Sequence, residues 1–215
     1  MDSMKINTIF PTLYATKINP DHDKVKDDLV DFCYRMEKHS PQSSSWEGQK
    51  AGDCGDTGPD YYGSLLSETA GNIFQYEEMD SVKKCVEEGL DYLNEKMHFP
   101  SYEHHAYKFE NAWININRKN SMHRAHSHGP STWSGIYYIK VPKNAAPIIF
   151  TNALGEYRNH WPVCMAPQKR NEYTAGQVIH YPKEGELVMF PGWLIHNVPV
   201  HQVEEDRINV SFNVT

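Results

Sequence analysis

From about Tyr107 the sequence changes its period from helical to alternating, and that change limits the folds open to it. In YKFENAWININ the positions Tyr107, Phe109, Asn111, Trp113, Asn115 and Asn117 share one face of an extended chain, while Ala112, Ile114 and Ile116 share the other. The closing run RINVSFNV repeats the arrangement: Ile208, Val210, Phe212 and Val214 point one way, and Arg207, Asn209, Ser211 and Asn213 the other. Between them come SGIYYIKV, PIIFTN, QVIHY and GELVMF, all short and rich in β-branched or aromatic residues. The apolar rows belong against a core. A row of amides with an arginine needs a wet or ligand-filled space.

The half that precedes this series reads differently. Residues 21–38 place Val25, Leu29, Phe32, Cys33 and Met36 on one helical stripe. A second helix is expected from Asp80 to about Met97, capped by Asp80 or Ser81, with Val82, Cys85, Val86, Leu90 and Leu93 at helical spacing. The Ser-, Gly- and Asp-rich stretch over 40–64 reads as a long loop, and Ala153–Gly176 as a polar insertion in the strand series. Helices followed by short strands predict a mainly β fold, a β-sandwich or jelly-roll barrel with flanking helices buttressing one outer face. The expected organisation is a single domain over 1–215, with 1–106 as helical and loop support and 107–215 as the β core.

Charge and cysteine usage narrow the partners. A formal charge of -7 without a clustered Lys/Arg face argues against nucleic acid and anionic membrane, leaving small molecules, peptides or proteins. The start carries no secretory pattern and no window of eighteen apolar residues occurs, so a cytoplasmic, soluble protein is expected. The four cysteines are far apart without CxxC pairing, and read as reduced thiols. A homodimer is left open.

His126 and His128 are two apart, so on an extended chain both imidazoles project from one face, close enough to share an ion. A third ligand must come from elsewhere. His196, just past the Pro191-Gly192 bend, is the candidate, and eleven residues later Arg207 opens the closing strand on its polar face, suited to a bidentate pair with a carboxylate.

These blocks together resemble the iron(II)- and 2-oxoglutarate-dependent oxygenases, whose core is a double-stranded β-helix of the jelly-roll or cupin-like type. The resemblance covers about Ala112 to Val214 and is narrowest to a bacterial and phage group related to prolyl hydroxylases. It rests on Trp113-Ile114-Asn115-Ile116-Asn117, Ala125-His126-Ser127-His128, Ser134-Gly135-Ile136-Tyr137-Tyr138, the Phe190–His196 block and the Arg207–Asn213 block, in that order. It implies Fe(II), 2-oxoglutarate as cosubstrate and O2. It implies His126 and His196 as metal ligands, with His128 where most relatives carry Asp or Glu; Glu156 or water is the fallback third ligand. Arg207 and Tyr138 match the residues that hold the far carboxylate of 2-oxoglutarate, and Asn115, Asn117 and Ser211 are further cosubstrate contacts. The expected activity is hydroxylation of a peptidyl (prolyl included) or small-molecule substrate with release of succinate and CO2.

Other readings are open at this level. A cupin-like metalloenzyme without redox chemistry would have no use for Arg207 and Tyr138 together, and a non-catalytic binding module would survive loss of metal. Arg207 has an alternative as an ion-pair partner of Glu204 or Glu205. His123 reads as a support to the site or an ordinary loop histidine; His160, His180 and His201 read as surface residues, and His104 and His105 take no role. Trp133 and Trp193 flank the ligand segments as pocket lining or packing.

Overall fold

The two alternating runs lie side by side. In the computed structural model, which describes residues 11–39, 72–98, 108–153, 171 and 174–215, β2 (Phe109–Asn117) pairs antiparallel with β9 (Arg207–Val214), setting Asn115 opposite Asn209 and Asn117 opposite Arg207. β4 (Trp133–Lys140) flanks β9 on its other side, and β7 (Glu186–Pro191) and β1 (Ala15–Ile18) complete a five-stranded sheet in the order β1-β7-β4-β9-β2. β3 (His123–His126), β8 (His196–Val198), β5 (Ile148–Thr151) and β6 (Gln177–His180) form a second sheet in the order β3-β8-β5-β6. All strand pairs are antiparallel. The two sheets make the jelly-roll barrel that the sequence pattern predicts, in the double-stranded β-helix form that the resemblance implies.

Two helices cover one face of the larger sheet. α1 (His22–His39) and α2 (Asp80–Met97) bury the stripes expected of them: Leu29, Phe32 and Cys33 from the first, Val82, Cys85, Val86, Leu90 and Leu93 from the second. These pack on Ile114, Ile116, Tyr137, Leu187, Val210 and Phe212, the outward row of the sheet. A side chain at Gly89 would press on Met189 and Leu187, so glycine lets α2 lie close to β7. The expected cap is absent: Met79 holds the N-cap position without a side-chain bond, and Asp80 is already helical, because the 3-10 turn Glu77–Met79 runs directly into α2. No described helix is long and apolar enough to cross a membrane.

The inward rows divide the space between the sheets. Ile136, Tyr138, Ile148, Phe150, Val188, Phe190 and Leu194 form an apolar cluster on one side. The amide and arginine side chains of β2 and β9 occupy the other. The barrel is therefore dry on one wall and polar on the opposite one, and that asymmetry places the site.

β1, β3 and β8 lie beyond the strands read from the sequence. β5 (IIFT) and β6 (QVIH) are as short, but adjacent β-branched or aromatic residues mark them, and ATKI, HRAH and HNV have no such neighbours. The loop over 40–64, Cys54, Cys164, His104, His105, Glu156, His160 and most of the Ala153–Gly176 insertion fall outside the described residues. Cys33 and Cys85 are buried free thiols, and burial pushes both thiol pKa values up.

Candidate metal centre and polar pocket

The second sheet assembles the histidines. His126 ends β3 and His196 opens β8, and the ladder sets the two directly opposite each other. His128 follows just past the strand, its backbone N–H donating to Gly192 O at 2.7 Å. One ring nitrogen from each of the three lies within 4.8 Å of the others. His196 is nearly buried against Phe190, while His128 lies 6.2 Å from the Trp113 ring.

Two of the rings have their tautomer fixed. His126 Nδ1 is 2.6 Å from Arg124 O, and His196 Nδ1 is 2.9 Å from Leu194 O. A carbonyl only accepts, so each Nδ1 carries a proton and Nε2 is the nitrogen left to take a metal. Burial, and then the neighbouring His126, push the His196 pKa down to about 3 and that of His128 to about 4. Neutral imidazoles with free nitrogens suit a divalent transition metal. No carboxylate joins the cluster among the described residues.

A cavity of about 540 Å³ opens beside these rings, lined in part by Trp113, Asn115, Ser134, Ile136, Arg207 and Ser211. Along its β2/β9 wall the side chains bond in a directional order. Arg207 Nη2 donates to Asn117 Oδ1 at 2.7 Å, and Asn209 Nδ2 donates to the same oxygen at 3.2 Å. Asn209 Oδ1 in turn accepts from Asn115 Nδ2 at 3.0 Å, which also donates to Ser211 Oγ at 2.9 Å. Nearer Trp133, Ser134 Oγ donates to Asn213 Oδ1 and Asn213 Nδ2 to Asn111 Oδ1, each at 2.7 Å. Arginine is a donor only, so it dictates which way each amide of the first series points.

Arg207 is 2 % exposed and bonds to Asn117 and to Ala146 O (2.7 Å), rather than to Glu204 or Glu205. Its guanidinium carbon sits 5.9 Å from the Tyr138 ring centre. Arg207 Nε and the Tyr138 hydroxyl are buried with no partner among the described residues. Burial pushes the Tyr138 pKa up to about 12, although Arg207 opposes it, so the phenol keeps its proton and remains a donor. Two neighbouring buried donors without acceptors fit a carboxylate.

The remaining histidines sort differently from the sequence reading. His201 is fully buried, its Nε2 donating to Glu205 O and its Nδ1 accepting from the Ala146 N–H, because the β8–β9 connection folds inward there. His180 is largely covered and bonds Glu186 at 3.1 Å. His123 lines the cavity and meets Asn117 Nδ2 at 3.0 Å. Trp133 belongs to the core under the helices, whereas Trp193 is 52 % exposed. Asn209 carries the centre of the amide series without having been singled out in the sequence; its place on Arg207's strand face was the available signal.

The family described as "Putative 2OG-Fe(II) oxygenase" matches residues 111–213. No curated protein matches the chain. Among solved structures, a prolyl-4-hydroxylase of Pseudomonas putida is similar at TM-score 0.61 and 13% identity, over 94% of this chain and 92% of its own. The epimerase SnoN of nogalamycin biosynthesis, non-heme and alpha-ketoglutarate dependent, is similar at TM-score 0.56 and 10% identity, over 95% and 78%. A viral collagen prolyl hydroxylase of Paramecium Bursaria Chlorella virus-1 is similar at TM-score 0.51 and 14% identity, over 100% of both. At these identities the likeness is one of fold.

Proposed function

We propose that the chain, whose residues 111–213 match the 2OG-Fe(II) oxygenase family, hydroxylates a peptidyl or small-molecule substrate, with release of succinate and CO2. Its cofactor is Fe(II), with 2-oxoglutarate and O2 as cosubstrates. The observation that carries the reading is the placement of three imidazoles at one end of a cavity whose wall holds a buried arginine with an orphan N–H.

When bound, iron and 2-oxoglutarate supply the oxidising equivalents for attack on an unactivated C–H bond, and the protein supplies orientation and exclusion of water. His126 and His196 hold the metal through Nε2, and His128 takes the place that a carboxylate fills in most relatives. Arg207 and the Tyr138 hydroxyl pair with the far carboxylate of the cosubstrate. Three neutral ligands leave the metal's two positive charges uncompensated, so a dianionic cosubstrate gains more attraction here than beside an Asp ligand. The Ile136 and Phe190 wall keeps water from the reacting centre. Prolyl residues are the first substrate class to test, given the prolyl hydroxylases among the similar folds; the epimerase among them marks how far outcome varies on one scaffold.

The test is anaerobic. Fe(II) and then 2-oxoglutarate are added to the metal-free protein, and the weak visible charge-transfer band of the chelate is followed in wild type, His126→Ala, His128→Ala and Arg207→Ala. The reading expects a band that is absent without His126 and needs more 2-oxoglutarate without Arg207. No band in the wild type, with tight zinc binding instead, would overturn it.

A further inference from the structure

We infer that His123 is a positioning residue for the cosubstrate: through Asn117 it fixes the direction in which the Arg207 guanidinium points. The inference rests on the assignment of Arg207 to the far carboxylate of 2-oxoglutarate. It starts from donor and acceptor arithmetic. Arg207 can only donate, so the Asn117 group facing it at 2.7 Å must be the carbonyl. Asn209 donates to the same oxygen and reinforces that choice. The Asn117 amide is then forced to the opposite side, where it meets His123 Nε2 at 3.0 Å. An NH2 group only donates. His123 must accept, which makes it the tautomer protonated on Nδ1.

Remove that acceptor and the Asn117 amide loses the partner that holds it in place. Its NH2, on a side chain only 1 % exposed, is then a buried donor without an acceptor, and the side chain gains by rotating away to find one, carrying Oδ1 off the guanidinium. Two of the three guanidinium nitrogens are clamped in the present arrangement, Nη1 by Ala146 O and Nη2 by Asn117, which aims the remaining Nε. Preorganised donors are what make a buried arginine useful to a planar carboxylate.

The connection also joins two parts of the site. His123 and His126 are the two ends of β3, so one four-residue strand carries a metal-ligand candidate at one end and the support of the cosubstrate arginine at the other. Asn117 closes β2, and the turn from Arg118 to Met122 brings the chain directly from one partner to the other. Placing a histidine at 123 thus serves the arginine across the barrel without contact with the cosubstrate itself.

The experiment compares His123→Leu, which removes the acceptor, with His123→Gln, whose side-chain carbonyl restores one. 2-Oxoglutarate affinity is measured by calorimetry on the Mn(II)-loaded proteins without oxygen, Mn(II) affinity is measured separately, and Arg207→Gln serves as control. The expected result is a tenfold or greater loss of 2-oxoglutarate affinity in His123→Leu, recovery to within threefold in His123→Gln, and Mn(II) affinity within twofold in both. His123→Leu binding like wild type, or both variants losing affinity equally, or a parallel loss of Mn(II), overturns the inference. If Arg207→Gln also binds 2-oxoglutarate normally, the cosubstrate assignment itself falls; if Arg207→Gln alone is impaired, only the role of His123 falls.

Discussion

The guanidinium carbon of Arg207 lies 5.9 Å from the centre of the Tyr138 ring, and each side chain keeps one buried polar atom without a partner among the described residues. A buried hydroxyl left without a hydrogen bond costs about 1–3 kcal/mol. Tyr138→Phe removes that group while preserving the ring. Its expected effects have opposite signs: the metal-free protein gains up to about 1 kcal/mol of stability, and affinity for 2-oxoglutarate falls. Denaturant melts beside ligand titrations check the pair; a loss of both would assign the hydroxyl a structural role instead.

His128→Asp tests the charge argument. An aspartate at this position lowers the charge around the metal by one, so Fe(II) is retained while 2-oxoglutarate binds about tenfold more weakly, a fraction of the ~4 kcal/mol that adjacent charges exchange at an effective dielectric of 20. The titration is run at low and high salt. Tighter cosubstrate binding in the variant would contradict the argument.

Gly192 lets the β7–β8 bend approach the β3–β4 connection, since a Cβ there would overlap Ser131 O. Its own carbonyl accepts from the His128 N–H. Backbone must move in Gly192→Ala, and His128 moves with it. Metal affinity is expected to fall at least about tenfold, worth about 1.4 kcal/mol, and more than in Trp193→Ala next to it, whose side chain is exposed.

Gly135 has a different neighbour. A methyl group there would enter the Phe212 ring, within the core under the helices. Gly135→Ala is expected to destabilise by about 1–3 kcal/mol through overpacking, read as a lowered melting temperature. Phe212→Leu in the same chain should recover part of the loss by making room.

His22 carries the pH prediction. It is 4 % exposed, with Nδ1 2.9 Å from the Tyr137 hydroxyl, and faces Glu184, Asp23 and Lys26. Burial holds its pKa below the ordinary value, against the pull of Glu184 and Asp23. Below about pH 6.5 the unfolded chain takes up a proton there that the folded one does not, so stability is present above that pH and declines as pH falls. His22→Gln should flatten the dependence of the urea midpoint between about pH 7 and pH 5, by up to about 1 kcal/mol per pH unit. An unchanged slope would mean that His22 is already protonated in the fold.

What could be read from the sequence followed from periodicity. β2 and β9 announce both their faces, since eight or nine alternating residues leave one register compatible with an apolar outer row. The polar row and its arginine were visible for the same reason. β3 and β8, which carry His126 and His196, were not, because HRAH and HNV lack the adjacent β-branched or aromatic residues that mark the equally short β5 and β6. The burial of His201 was equally hidden, and of the two readings open for His123 only the contact with Asn117 favours support over a free loop: imidazole suits both surface and interior, and only the folded neighbours decide. The cap of α2 failed for a local reason, as the preceding 3-10 turn supplies the helix entry without a side chain.

The partners of His126 and His196 are the main-chain carbonyls of Arg124 and Leu194, each two residues upstream. No side-chain replacement at positions 124 or 194 can delete a carbonyl. The choice of which nitrogen is left for a metal is therefore inherited with the backbone and insulated from drift in the pocket around it. Sequence variation can reshape the cavity for new substrates while the two imidazoles go on presenting the same atom.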